Sequence, residues 1–273
     1  MSIGIARSVS RMEQRLDWLD ATDPQKRTMG ILQSLPFIRA AWTMGFIDYQ
    51  NPQVCDATGM QYRLTNNNAS LFGFDSSAPY AEFDGVNQYL SRADGGAGNW
   101  ADILGTEGYI PVSQRGLTIG GWFRFDRLTN AEFLAGKNDN TIANLSYQLI
   151  FRGDLANDPL RFTIGNGAAA DSVDVNITPE TGRWYFVAGR YDPGTEIKIY
   201  AASGGAVQEN TNAVGIPAAL NDSNSEFTIG AYSAGAAGAY LDGRASCVFL
   251  CAGMLSDAWI RCLYSQFRSI FRV

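Results

Sequence analysis

The chain has 273 residues, 46% of them hydrophobic and 18% charged, enough for one sandwich-sized core and too apolar for a disordered polymer. A net charge of −6 argues against a nucleic-acid partner, which needs clustered cations, and the absence of histidine excludes imidazole triads, imidazole metal sites and imidazole acid–base chemistry. Twenty-nine glycines suit many short strands joined by tight turns, and only Lys26, Lys137 and Lys198 among the 21 basic residues are lysines.

Residues 1–47 differ in texture from the rest. Ile5, Val9, Met12, Leu16 and Leu19 fall at helical spacing between Arg7, Arg11, Arg15 and Asp17, which predicts an amphipathic helix whose stripe docks on the body or on a neighbouring subunit. The same charges interrupt any apolar run, so no secretory leader and no membrane span is expected, and the chain is expected to be made in a cytoplasm. Asp23-Pro24 suits the start of a second short helix, and SLPFIRAAWTMGFID is apolar enough to be largely buried. The expectation is a helical arm over 1–47 and one β domain over 48–273.

From residue 48 onward, short alternating patches follow one another between turn signals such as Asn66-Asn67-Asn68 and Asp84-Gly85. They are AEFDGVNQYLS, LTIGGWFRFD, SYQLIFRGD, LRFTIGNG, SVDVNIT, RWYFVAGRYD, EIKIYAASGG and EFTIGAY. In LTIGGWFRFD, Leu117, Ile119, Gly121, Phe123 and Phe125 share one face and Thr118, Gly120, Trp122 and Arg124 the other. Strands at this spacing predict an all-β, two-sheet antiparallel sandwich. The glycine-rich stretch 93–114 is a candidate functional or contact loop.

Residues 244–252 form a strand that is apolar on both faces, with Cys247, Phe249 and Cys251 on one side and Val248, Leu250 and Ala252 on the other. Such a strand is central and covered twice. A helix follows: Ser256 is its N-cap, Asp257 lies in the first turn, Leu255 and Ile260 take the staple positions, and Trp259, Leu263 and Phe267 form the inner stripe. Four residues along a strand span roughly 13 Å, beyond the ~7 Å that a disulfide bridges, so Cys247 and Cys251 are packing groups.

In order along the chain, CDATGMQYRLTNNN, AEFDGVNQYLS, LTIGGWFRFD, GRWYFVAGRYDPGTEIKIYAASGG and YLDGRASCVFLCAGMLSDAWIRCLY resemble the laminin-G-like, or concanavalin A-like, jelly-roll domains. The resemblance covers about residues 37–265. It implies two facing antiparallel sheets of roughly six or seven strands each, closed by the last strand with a short C-terminal helix beside the sandwich. The added arm and the missing export signal make the chain most similar to domains of this type in bacteriophage virion proteins.

That resemblance implies function classes as well. Glycoside hydrolysis on such a scaffold needs two carboxylates flanking one bond, and Glu82 with Asp84 is the only same-face pair, so no enzyme is expected and no cofactor. Calcium is the one metal the resemblance suggests, with Asp84, Asp139, Asp192 and Asp242 as candidate ligands in turns. Tyr89, Trp100, Tyr109 and Tyr232 fall in or near predicted loops and could stack on sugar rings. The expected function is a non-enzymatic virion structural protein, a capsid decoration (cement) or tail-associated component. It would be a homo-oligomer bound to other virion proteins through its arm. A lectin-like module that adsorbs to a glycan is the alternative.

Overall fold

The computed structural model describes residues 24–45, 47–48, 53–60, 62–75, 78–95, 100–157, 159–233 and 239–273. The stripe Ile5, Val9, Met12, Leu16 and Leu19 lies outside the described residues. The described chain is two antiparallel sheets packed face to face, with helices α1 (Pro24–Gln33) and α2 (Asp257–Phe271) on one outer face.

The first sheet runs in the order β15 (Gln208–Asn212), β14 (Glu196–Ala202), β13 (Trp184–Asp192), β8 (Leu117–Phe125), β17 (Asp242–Cys251), β6 (Ala78–Asp84) and β5 (Leu71–Asp75). Strand β1 (Ile38–Trp42) also pairs with β17, so the sheet draws on the segment expected to be arm and the sandwich begins at Ile38, not at residue 48. IRAAW shows no polar–apolar alternation over Ala40–Trp42 because both faces are covered there, Ala40 and Trp42 by the interior core and Ala41 by the helix side. Strands β6 and β1 share one edge of β17: β6 pairs with Asp242–Ala245 and β1 with Val248–Cys251. Between them Cys247 takes φ +50°, and the register against β8 slips between Ser246 and Phe249, a bulge that re-aims the distal half of the strand.

The second sheet runs β12 (Ala170–Asn176), β11 (Pro159–Gly165), β10 (Tyr147–Arg152), β9 (Ala131–Lys137), β16 (Phe227–Ile229), β7 (Tyr89–Arg92), β4 (Leu64–Asn67), β3 (Gln53–Val54) and β2 (Ile47–Asp48). The eight-stranded and nine-stranded sheets exceed the count the resemblance implies, because β1–β5 add short edge strands. Alternation decides what each sheet buries. Leu117, Ile119, Phe123 and Phe125 of β8 meet Leu149 and Phe151 of β10 and Phe162 of β11 in the interior core.

Trp122, on the opposite side of β8, belongs to a second core with Phe186, Cys247, Phe249 and the helices. It stacks on Phe271 of α2, with centroids 4.2 Å apart and planes 10° apart. The α2 start is as read: the Ser256 hydroxyl accepts from the Trp259 N–H, and Leu255 and Ile260 are buried. Its inner stripe is Ile260, Leu263, Phe267 and Ile270, while Trp259 faces out at 39% exposure. Leu263 and Phe267 thus lie on the inner stripe as their spacing suggested, and Ile260 takes the place expected of Trp259. All four cysteines are free. Cys247 and Cys251 are buried in the second core, and burial pushes the Cys247 thiol up to about 12, whereas Cys262 is exposed and Cys55 half-buried. Among the described residues no helix is long and apolar enough to cross a membrane.

Candidate functional site

The outer face of the second sheet carries no helix among the described elements, and its outward residues are mostly polar where the first sheet's under the helices are apolar. On β10 the interior takes Tyr147, Leu149 and Phe151, which leaves Gln148, Ile150 and Arg152 outward; on β11 and β12 the same rule leaves Arg161, Thr163, Ser172 and Asp174. All of these side chains but Asp174 floor a groove of about 400 Å³. Asn140, Thr141 and Ile142 wall it on one side and Tyr232 on the other. Tyr232 is tilted against Phe133, with centroids 4.9 Å apart, and forms a small apolar patch with Ile150.

The polar floor is fixed before any ligand arrives. Arg161 donates to both carboxylate oxygens of Asp174, at 2.6 and 2.8 Å, and Arg152 does the same to Asp154 at 2.7 Å each. The Arg152 hydrogen bonds hold the Asp154 carboxyl below its ordinary range. Asn138 donates to Gln148 at 2.8 Å, and the Thr163 and Ser172 hydroxyls lie 3.1 Å apart. Burial raises the Tyr232 phenol above its usual value, so the hydroxyl keeps its proton. A guanidinium offers five N–H donors, and a bidentate pair uses two, so each arginine keeps donors for a ligand while its charge is compensated. An apolar ring wall over a neutralised, donor-rich floor suits a hydroxyl-rich neutral molecule better than a free anion.

Of the four aromatics read as sugar platforms, only Tyr232 lines this groove. Trp100 is a correction: it is buried, stacked on Tyr62 at 4.9 Å and packed edge-on against Trp42 at 6.0 Å and Phe227 at 5.5 Å. The loop that carries it folds inward because Trp100, Ala101, Ile103 and Ile110 join the interior core. Tyr109 is exposed and accepts a hydrogen bond from Arg39 at 2.7 Å, and Tyr89 is half-buried on β7.

Among the described residues the four aspartates are not gathered at one point. Asp84 accepts the backbone N–H groups of Val86, Asn87 and Gln88 through one carboxylate oxygen, which closes a turn whose Gly85 needs φ +69°. Asp242 lies opposite Asp84 in register, with Arg127 at 3.7 Å. Asp139 is bound by the Thr141 N–H and hydroxyl and by the Asn144 amide. Asp192 borders a separate hollow of about 440 Å³ beside the α2 start, where Arg190 is committed to Asp257 and Glu196 at 2.5 Å each. Among the described residues no three acidic or thiol side chains converge to hold a metal ion.

Gln148, Arg152, Arg161, Thr163 and Ser172 were not singled out in the sequence. Their signal is present in SYQLIFRGD, LRFTIGNG and SVDVNIT, where each is the polar partner of an alternating pair, but any solvated strand face looks the same.

No curated protein matches the chain. Among solved structures the fold is similar to the binding domain of botulinum neurotoxin serotype C1, at 14% identity and a TM-score of 0.55, covering 88% of this chain and 53% of that one. It is also similar to a structure of botulinum neurotoxin type C, a toxin whose uptake by cells depends on interaction with two ganglioside molecules, at 11% identity and a TM-score of 0.54, covering 89% and 53%. The sialidase of Trypanosoma rangeli in complex with sialic acid matches at 14% identity and a TM-score of 0.59, covering 96% and 39%. The chain therefore spans about half the length of the toxin domains and less of the sialidase, and the likeness is one of fold. Residues 96–261 match the family described as the concanavalin A-like lectin/glucanases superfamily, which is more than half of the chain. The chain belongs to the concanavalin A-like lectin/glucanases superfamily.

Proposed function

We propose that the protein is a non-enzymatic glycan-binding module whose site is the groove on the outer face of β9–β12. The carrying observation is the groove's floor, in which Arg152, Arg161 and Gln148 are held by neighbours with spare donors facing out beside the Tyr232 wall. Neutral saccharides present hydroxyl groups to such donors and an apolar ring face to such a wall. The fold neighbours that meet a ganglioside or sialic acid support a saccharide as the ligand in general, while the choice of a neutral one rests on the compensated arginines, since sialic acid carries a carboxylate. No calcium requirement follows, since the aspartates near the groove are engaged within the protein.

A glycan array with and without calcium tests the reading. Wild-type protein is expected to bind with either buffer, and Arg161→Ala and Gln148→Ala to weaken binding at least about tenfold, or ~1.4 kcal/mol. An array with no bound glycan, or variants that bind like wild type, would overturn it.

A second reading has one observation in its favour, the amphipathic spacing of Ile5, Val9, Met12, Leu16 and Leu19. In that reading the chain is a virion structural protein, a capsid decoration or tail-associated component, that binds neighbouring subunits or copies of itself through this stripe. A glycan groove serves adsorption on the same particle.

A further inference from the structure

Lys137 is the last residue of β9, and its register partners are Tyr147 on β10 and Phe227 on β16. Paired residues on neighbouring strands share a face, and both partners lie in the interior core, so the Lys137 side chain enters the sandwich and is fully buried. Its ammonium donates to Asp94 Oδ1 at 2.6 Å, to Asp102 Oδ1 and to the Ser223 carbonyl. Both aspartates belong to the loop between β7 and β8, and their side chains are 8% and 1% exposed. The loop is closed around them: the Tyr147 hydroxyl donates to the Ala101 carbonyl at 2.9 Å, and Trp100 packs on Phe227. One amine, two carboxyl groups and a water-excluding aromatic wall therefore occupy one pocket.

Taking an ammonium and carboxylates out of water costs several kcal/mol per ion even when they pair. Condensation removes two of those charges and leaves a neutral amide, and a fixed contact supplies the proximity that makes an intramolecular acyl transfer fast. We propose that Lys137 and Asp102 form an intramolecular amide bond, with Asp94 as the proton carrier. Asp94 takes a proton from the ammonium and passes it to an Asp102 carboxyl oxygen. The amine lone pair then attacks Asp102 Cγ, forming the N–C bond and opening the C=O π bond onto oxygen. Asp94 takes a second proton from nitrogen and delivers it to the protonated oxygen, the C–O bond breaks, and one water departs as the carbonyl re-forms. Asp94 ends as it began, and no oxidant or co-reactant is consumed. Asp102 is the acyl partner because its side chain is the more deeply buried of the two.

Tryptic digestion of the full chain, read by tandem mass spectrometry, tests this. An acylated lysine resists trypsin, so peptide 93–115 is expected joined to peptide 128–152, lighter than their sum by one water, with fragments placing the bond between positions 102 and 137. Recovery of 93–115 and 128–137 as separate peptides overturns the proposal, even if 93–115 has lost water, since ring closure at Asp94-Gly95 also releases water without joining peptides. Asp94→Asn is expected to leave the peptides separate with Lys137 and Asp102 unchanged, and a fully joined product in that variant overturns the role of Asp94.

Discussion

The two outer faces of the sandwich are built from the same alternation and end in opposite states. On the first sheet the outward positions are Trp122, Phe186, Tyr200, Phe249 and Cys251, and helices α1 and α2 cover them. On the second they are mostly polar, Gln148, Arg152, Arg161, Thr163 and Ser172 beside Ile150, and they are held by Asn138, Asp154, Asp174 and the Thr163–Ser172 pair, with no described helix over them. An apolar outer face has to be paired with another element to be stable, whereas a polar one can remain open and meet a ligand. The difference gives one face to structure and, in the proposed function, leaves the other to recognition.

The largest test of that division falls on the covered face. Trp122 is fully buried between Phe186, Tyr264 and Phe271, so Trp122→Ala is expected to cost ~3–5 kcal/mol in urea unfolding. A loss below ~1 kcal/mol would mean that the helices are not a structural lid. The seam between the sheets gives a smaller, pH-dependent effect. Glu132 on β9 accepts from the Asp242 N–H of β17 and from Arg127, and burial pushes its carboxyl from 4.5 up to about 8 against the pull of Arg127. Between those values the folded chain keeps a proton that the unfolded chain has released. Stability should therefore fall as pH rises through that window, by up to about 1.4 kcal/mol per pH unit. Urea midpoints at the two ends of the window should differ for wild type and converge for Glu132→Gln. The smallest effect belongs to the open face: Thr163→Ala is expected to stay within ~0.5 kcal/mol of wild-type stability. A larger loss would show that the groove floor is a structural network and would blur the contrast between the faces.

The covered face was the more legible of the two in the sequence. Leu117–Phe125 alternates so strongly that the sides of the strand follow from residue type, the unbroken apolar run Cys247–Ala252 marks a strand covered twice, and Ser256 with Leu255 and Ile260 marks the α2 start. Strand β1 was not legible because IRAAW, buried on both faces, shows no period and borders a helical pattern. Trp100 looked exposed because its neighbours are glycines, and what buries it, Trp42, Tyr62 and Phe227, comes from distant segments. The groove was hidden for a related reason: Gln148, Arg161 and Ser172 meet only through pairing of β10, β11 and β12. Lys137 likewise shows no partner locally, since Asp102 and Asp94 precede it by 35 and 43 residues.

The shared edge of β17 has a consequence for any shortened form of the protein. A chain that starts at residue 48 lacks β1, which strips Val248–Cys251 of its backbone partners on that side, and it lacks Ile31, Leu32 and Leu35 of the second core. A row of bare amide groups beside uncovered apolar side chains is a template for a second copy of the same strand. Such a fragment should precipitate or pair with itself whatever the first residues do, whereas removal of residues 1–23 alone leaves both the edge and its cover in place.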